Sequence, residues 1–137
     1  FLPFNSGTVY EMKLDLNSKI PIYMQISEII REAVVSGDLK PNDSIPSVRQ
    51  MCVEYGINPQ TILNATSLLI QENILEKRRG LGMYVTSIAQ EKLVSIELEK
   101  FRQEYIPFLV ERGKLLGFTS NEICQIIKSI DKGDDNG

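Results

Sequence analysis

Two groups of side chains in this chain could do chemistry, and neither is of the kind that makes or breaks bonds. Lys77, Arg78 and Arg79 form the densest run of positive charge, directly before Gly80-Leu81-Gly82. Gln60, Thr61, Asn64 and Ser67 recur at helical spacing, and their amides and hydroxyls both donate and accept hydrogen bonds. Cationic groups suit phosphate, and short polar groups near the start of a helix suit base edges in a major groove. Reactive chemistry finds less support. The chain has no histidine, no phosphate-binding glycine loop of the P-loop type and no cysteine pair at metal spacing. Glu97, Glu99 and Glu104 on one helix read most simply as a solvated face. No catalytic residue, cofactor or metal is expected.

The elements that must position these groups lie between Ile45 and Thr86. Ser47 followed three residues later by Gln50 is a capping box, so a helix opens there. Val48, Met51, Cys52 and Tyr55 repeat at three- and four-residue steps and give it a buried face. Gly56 stops it, since glycine accepts the left-handed conformation favoured at helix ends. A second helix begins at once, with Asn58 as N-cap and Pro59 at its first position, where a missing N–H costs nothing. Ile57 and Ile62 are spaced as a hydrophobic staple across that cap. Helix, short turn with glycine, helix is the helix-turn-helix pattern.

On the second helix Ile62, Ala65 and Leu69 form the inward stripe, with Thr66 at its margin. Gln60, Thr61, Asn64 and Ser67 point the other way. An ordinary amphipathic helix with a solvated polar face would look the same, so the residues beyond it decide. Asn73 is a candidate cap. Ile74 to Lys77 and Met83 to Thr86 read as two strands joined by the turn Arg78 to Gly82. A lone basic turn is usually just solvated. Directly after a helix-turn-helix, this one reads as a wing able to track the phosphate backbone or probe a minor groove.

The stretch resembles the winged-helix domain of GntR-type bacterial transcription regulators, whose consensus runs L-P-S-x-R, G-V-x-x-x-T-V and R-x-G-x-G-T-x-V. The matching segments are Ile45-Pro46-Ser47-Val48-Arg49, Gly56-Ile57-Asn58-Pro59-Gln60-Thr61-Ile62 and Arg79-Gly80-Leu81-Gly82-Met83-Tyr84-Val85. Their order and spacing make the signal specific, and it covers about half of the chain closely. The resemblance implies DNA contacts from Ser47 and Arg49, from Asn58, Gln60, Thr61 and Asn64, and from Arg79 and Gly80, with Lys77 and Arg78 in support. Relatives often carry a basic residue after the T-V pair, whereas here Leu63 precedes Asn64. Leu63 could meet a thymine methyl or belong to the core.

Around this centre the chain is of ordinary balance, 137 residues with 42% hydrophobic and 24% charged. The net charge of −3 does not suit a generic nucleic-acid binder. Between Ser44 and Tyr84, however, Arg49, Lys77, Arg78 and Arg79 face Glu54, Glu72 and Glu76, so the acid lies elsewhere. No apolar run approaches the roughly 20 residues a membrane helix needs, and no signal peptide is evident. Cys52 and Cys124 read as reduced core thiols of a cytoplasmic protein.

Residues 1–16 form an unassigned arm, in which Met12, Leu14 and Leu16 alternate as in a short strand. The winged helix-turn-helix occupies residues 17–87. It opens with a helix from Pro21 to about Ser36, whose stripe is Ile22, Ile26, Ile29, Ile30, Ala33 and Val34 and which Gly37 ends. Past the wing a long helix runs from about Gln90 to Leu116, kinked or broken at Pro107. Another starts at Thr119, with a capping box to Glu122 and a staple from Phe118 to Ile123.

Residues 88–130 thus make a helical region too small to enclose a core. Its apolar residues Phe101, Tyr105, Phe108, Leu109, Ile123, Ile126 and Ile127 require a partner subunit, the alternative being the winged helix itself. The resemblance points to the small YtrA-type members, which end in a short helical dimerisation tail. Residues 131–137 read as a disordered acidic tail. The fold class is mainly α with a small β-hairpin, a winged helix-turn-helix followed by two helices. The expected function is a sequence-specific regulator, a repressor by type, binding double-stranded operator DNA as a homodimer on an inverted repeat. A small-molecule effector is left open, and no membrane contact is expected. A winged helix used only for protein contacts is the alternative, favoured by the acidic total and by Leu63.

Overall fold

The computed structural model describes residues 2–3, 9–10 and 14–135. In chain order its elements are β1 (Leu2–Pro3), β2 (Val9–Tyr10), α1 (Ile22–Ser36), α2 (Val48–Tyr55), α3 (Pro59–Gln71), β3 (Leu75–Arg78) and β4 (Gly82–Val85), then α4 (Ala89–Lys100), a π-helical turn (Phe101–Tyr105), α5 (Ile106–Leu115) and α6 (Ser120–Asp135). One compact unit ends at Val94 and a second begins at Ser95. No helix among the described residues is long and apolar enough to cross a membrane.

The first unit is a winged helix, built on the stripes its sequence carries. Ile26, Ile30, Ala33 and Val34 of α1, Met51 of α2, and Ile62, Ala65 and Leu69 of α3 are all at most 1% exposed. Thr66 is buried with them, and its hydroxyl donates to the carbonyl of Ile62 at 3.0 Å. Arg31 of α1 grips Glu72 just past the end of α3 through two bonds of 2.6 and 3.1 Å. Burial pulls the Arg31 pKa down, but the hydrogen bond and charge of Glu72, with help from Glu28, more than offset this and leave it above its ordinary value. Ala89 and Leu93 also belong to this core, so the expected boundary after Ser87 falls inside the unit.

Helix ends obey local rules. Gly37 and Gly56 take left-handed conformations at φ +88° and +61°. At the end of α3, Asn73 does so at φ +62°, and the N–H of Ile74 donates to the carbonyl of Leu69 at 2.9 Å. The N–H of Asn73 reaches the carbonyl of Ile70 at 3.0 Å, which completes a Schellman motif. Leu69 and Ile74 are both fully buried, supplying the apolar contact that accompanies it.

Three expectations for the N-terminal unit need correction. The hairpin ladder extends one pair further than expected, to Arg78↔Gly82, so Arg78 is a strand residue and the loop is Arg79-Gly80-Leu81. The polar turn before α2 is not a mere connector: residues 42–45 pair along β4. Asn42 N–H donates to Val85 at 2.8 Å, Val85 N–H to Asp43 at 2.8 Å, and Ile45 N–H to Met83 at 3.0 Å. Of the expected alternation, Leu14 packs on the core whereas Leu16 is exposed, and Met12 lies outside the described residues. The segment from Asp15 to Ile20 is instead held by Gln25. Its amide accepts from the Asp15 N–H at 2.8 Å and donates to the carbonyls of Asp15 and Ile20 at 3.0 and 2.9 Å.

In the second unit a kink or a break is expected at Pro107, and the break is absent. The helix widens into the π turn just before the proline, where the N–H of Ile106 reaches back to the carbonyl of Phe101. Leu116 and Gly117 close α5, with Gly117 at φ +93° and the N–H of Phe118 on the carbonyl of Gly113 at 2.9 Å. Thr119 and Glu122 form the expected capping box, each bond 3.1 Å. Ile123 packs under Gly113 so closely that a Cβ there would meet its Cδ1 at 2.5 Å. Of the disordered tail expected over residues 131–137, Asp131 to Asp135 continue α6 instead, and residues 136–137 lie outside the described residues. An established helix extends at the cost of one residue per hydrogen bond, and acidic composition alone does not stop it. Cys124 is exposed, as are Ile126 and Ile127 on the same helix; Cys52 is half-buried.

Gly56→Ala is expected to lower the free energy of unfolding by about 1–2 kcal/mol, the cost of a left-handed residue bearing a Cβ. Gly56→Asn should lose less. Urea unfolding of the two variants beside the parent measures this, and an Ala variant as stable as the parent would contradict the strain.

Candidate nucleic-acid interface

The capping box at Ser47 is complete. Its hydroxyl accepts from the Gln50 N–H at 3.1 Å while its own N–H donates to the Gln50 side chain at 2.9 Å. The Ser47 hydroxyl hydrogen remains available to an acceptor. Arg49 comes next, at the second helical position, and is exposed. Both sit at the positive end of the α2 dipole, where an anion is favoured.

The start of α3 is arranged in the same way. Asn58 accepts from the Gln60 N–H at 2.8 Å, so its carbonyl oxygen is taken by the cap and its NH2 group is left as a donor. Gln60 donates to the Asn64 side-chain oxygen at 2.9 Å. The pair therefore shows a Gln60 acceptor and Asn64 donors side by side on an exposed face, the complement of an adenine edge. Thr61 is half-buried, while Ser67 is exposed. Leu63 is 40% exposed, so it belongs to this outer face rather than to the core.

The wing completes the surface. Because Ile45 is bonded to Met83 on β4, the residues entering α2 lie against the hairpin. Ser47, Val48, Lys77, Arg78, Arg79 and Gly80 then line one open groove of about 450 Å³. Gly80 at φ +76° and Gly82 at φ +108° make the tight loop that presents Arg79 and Leu81 to solvent. Lys77 and Arg79 are exposed. Arg78 is engaged within the protein, its guanidinium 2.7 Å from the Asn42 side-chain oxygen, 2.9 Å from Glu76 and 4.2 Å from the centre of the Tyr84 ring. Tyr55 adds no charge: burial, and then the neighbouring Glu54, raise the pKa of its hydroxyl above the ordinary value.

Of the residues singled out by sequence, Ser47, Lys77, Arg79 and Gly80 thus share one groove, with Arg49 on the helix turn that opens from it, while Asn58, Gln60 and Asn64 share one helix start. Sequence reasoning missed Asn42 and Tyr84, whose contribution depends on the pairing of residues 42–45 with β4. The left-handed Asn42, at φ +70°, sits in a Pro-Asn-Asp run that suggests a turn but not its partner.

The expected tail residues all fall in the second unit. Ile123 is buried against α5. Phe101, Tyr105, Phe108, Leu109, Ile126 and Ile127 are between 41% and 67% exposed in the single chain.

A family model described as bacterial regulatory proteins, gntR family, matches residues 22–85. The chain is 34% identical over 122 residues to the uncharacterized HTH-type transcriptional regulator YhcF of Bacillus subtilis (strain 168), spanning 89% of this chain and 99% of that one. It is 31% identical over 119 residues to the HTH-type transcriptional repressor YtrA of the same organism, spanning 87% and 91%. Among solved structures, a GntR family transcriptional regulator from Listeria monocytogenes superposes with a TM-score of 0.66 at 27% identity, covering 83% of this chain and 98% of that one.

The exposed cations should be dispensable for folding. Arg49→Ala and Arg79→Ala are each expected to leave unfolding within about 0.5 kcal/mol of the parent. Ser47→Ala should cost about 1 kcal/mol through its lost cap. Thermal melts of the three variants give the comparison.

Proposed function

The chain belongs to the GntR family of bacterial regulatory proteins, DNA-binding transcription regulators, and is similar to the HTH-type regulators YtrA and YhcF; from that premise we propose that it represses transcription as a homodimer bound to an inverted-repeat operator. The observation that carries the proposal is the convergence of the α2 start and the wing on one groove, with Arg49, Lys77 and Arg79 exposed around it. In this reading the α3 start lies in a major groove, where Gln60 and Asn64 read base edges and Asn58 and Thr61 meet backbone or base. The wing places Arg79 and Gly80 against the adjacent backbone or minor groove. Leu63 supplies an apolar contact to a thymine methyl. Repression, rather than activation, is proposed from the likeness to YtrA, a transcriptional repressor.

The dimer is supported by the second unit. Phe108, Leu109, Ile126, Ile127 and Ile130 border an apolar groove of about 320 Å³ between α5 and α6. A second copy with the same face would cover it in a self-complementary way, as two-fold interfaces do. Such a dimer reads two half-sites related by the same axis.

Selection of bound duplexes from a random DNA library at near-physiological salt is expected to enrich an inverted repeat, and failure to enrich any sequence would count against specific reading. On the selected site, Arg49→Ala should lose about 1–3 kcal/mol of affinity if Arg49 reads a base; unchanged affinity removes it from the interface.

A chain ending at Val94, which keeps Ala89 and Leu93 in the first core, is expected to be folded and monomeric. Ile127→Asp in the full chain should likewise sediment as a monomer. A dimer in either case would refute the assignment of the tail.

A further inference from the structure

We infer that Arg78 acts on DNA binding as a positioning residue, the latch that fixes the wing against the segment entering α2, and not as a phosphate contact. This rests on the DNA-binding reading above and deepens it at one residue.

The side-chain alternation of the ladder sorts the wing residues between two faces. Arg78 pairs with Gly82 and Glu76 with Tyr84, so Glu76, Arg78 and Tyr84 share one face of the hairpin, whereas Lys77 lies on the other with Met83. On that face the guanidinium is engaged on one edge and over one plane. Its Nη2 donates to Asn42 Oδ1 at 2.7 Å and to Glu76 Oε1 at 2.9 Å, its Nε reaches the same carboxylate at 3.2 Å, and its Cζ lies over the Tyr84 ring, 4.2 Å from the ring centre. Glu76 already compensates the charge. A phosphate would have to compete with a carboxylate, an amide and an aromatic face for a group only one-third exposed.

The far end of the latch explains its purpose. Asn42 is held left-handed at φ +70°, and its N–H is bonded to Val85 of β4. Three residues on, Ile45 is bonded to Met83, and the chain then enters α2 through Ser47. Arg78 therefore ties the tip-proximal end of β3 to the segment that aims the α2 start. Without it the wing keeps its own ladder and its backbone bonds to residues 42–45 but loses its side-chain tie to that segment, and Lys77 and Arg79 stand in a looser relation to Arg49. Lysine would carry the same charge, yet a point ammonium cannot bridge Asn42 and Glu76 while stacking on Tyr84.

The experiment compares Arg78→Lys, Arg78→Ala and Asn42→Gly in the full chain. Glycine keeps the left-handed backbone of residue 42 and removes only the acceptor. In the free protein, backbone hydrogen exchange at Asn42 and Val85 is expected to be faster in Arg78→Lys than in the parent. On the selected operator, Arg78→Lys should bind as weakly as Arg78→Ala, about tenfold or more below the parent, on the scale of a lost charge-assisted network. The uncharged Asn42→Gly should also weaken binding, and its combination with Arg78→Lys should be no worse than the weaker single variant.

Arg78→Lys binding like the parent, while Arg78→Ala loses affinity and about 0.9 in salt slope, would make Arg78 a phosphate contact and overturn the latch. Exchange unchanged in Arg78→Lys overturns it without any reference to DNA. A parent that binds no DNA would instead overturn the functional reading, and the exchange comparison would still decide the latch.

Discussion

One helix must be buried in several directions at once, and the winged helix is arranged around that demand. Helix α3 packs on α1, on α2 and on β3, so Ile62, Ala65, Thr66 and Leu69 are closed off from solvent at 2% exposure or less. Ala65 keeps α1 close enough for the Ser27 hydroxyl to lie 3.4 Å from its carbonyl. Thr66 can be buried because its hydroxyl bonds the turn below. Burying these positions leaves Gln60, Leu63, Asn64 and Ser67 nowhere to go but outward. The candidate reading face is thus the remainder of a packing problem.

The same helix passes its constraint on to the wing. Its Schellman end puts Ile74 on Leu69, both fully buried, and the chain leaves directly into β3. The Thr86 N–H closes the other strand back onto the Ile74 carbonyl at 3.0 Å, and its hydroxyl reaches the Asn73 carbonyl at 2.7 Å. Lys92 of α4 takes the carbonyl of Glu72 at 2.5 Å. Hairpin and succeeding helix are therefore both anchored at a single helix terminus, and residues 42–45 need only add themselves along β4 to bring α2 and the wing together.

What the sequence made legible is what is local. Capping boxes at Ser47 and Thr119, the N-cap at Asn58 and left-handed glycines at 37, 56 and 117 are decided by residues within a few positions of each other, and each stands in the structure where spacing put it. What it concealed is what depends on distant pairing. Arg78 looked like a turn residue because nothing within five positions announces Asn42. Nor does anything local announce that Gln25 holds the segment from Asp15 to Ile20, to which its side chain is bonded at both ends. Pro107 announced a disturbance but not its kind, since a proline can be accommodated by a break, a kink or a wider turn. Cys124 reads as a core thiol from the apolar residues around it, yet Ile126 and Ile127 beside it are themselves exposed in the single chain.

The way Arg78 is neutralised has a bearing on how such a protein would find its site. Genomic DNA offers an immense excess of wrong sequences, and attraction to them scales with the cations a surface can put on phosphates. If the chain binds DNA as proposed, a surface that keeps one guanidinium occupied by Glu76, on a chain of net charge −3, would hold random duplex weakly. Time between correct encounters would then be passed mostly free in solution rather than sliding, and occupancy of the operator would depend on base-edge and shape complementarity more than on charge. Such a binder would give up capture radius for a small background of unproductive complexes.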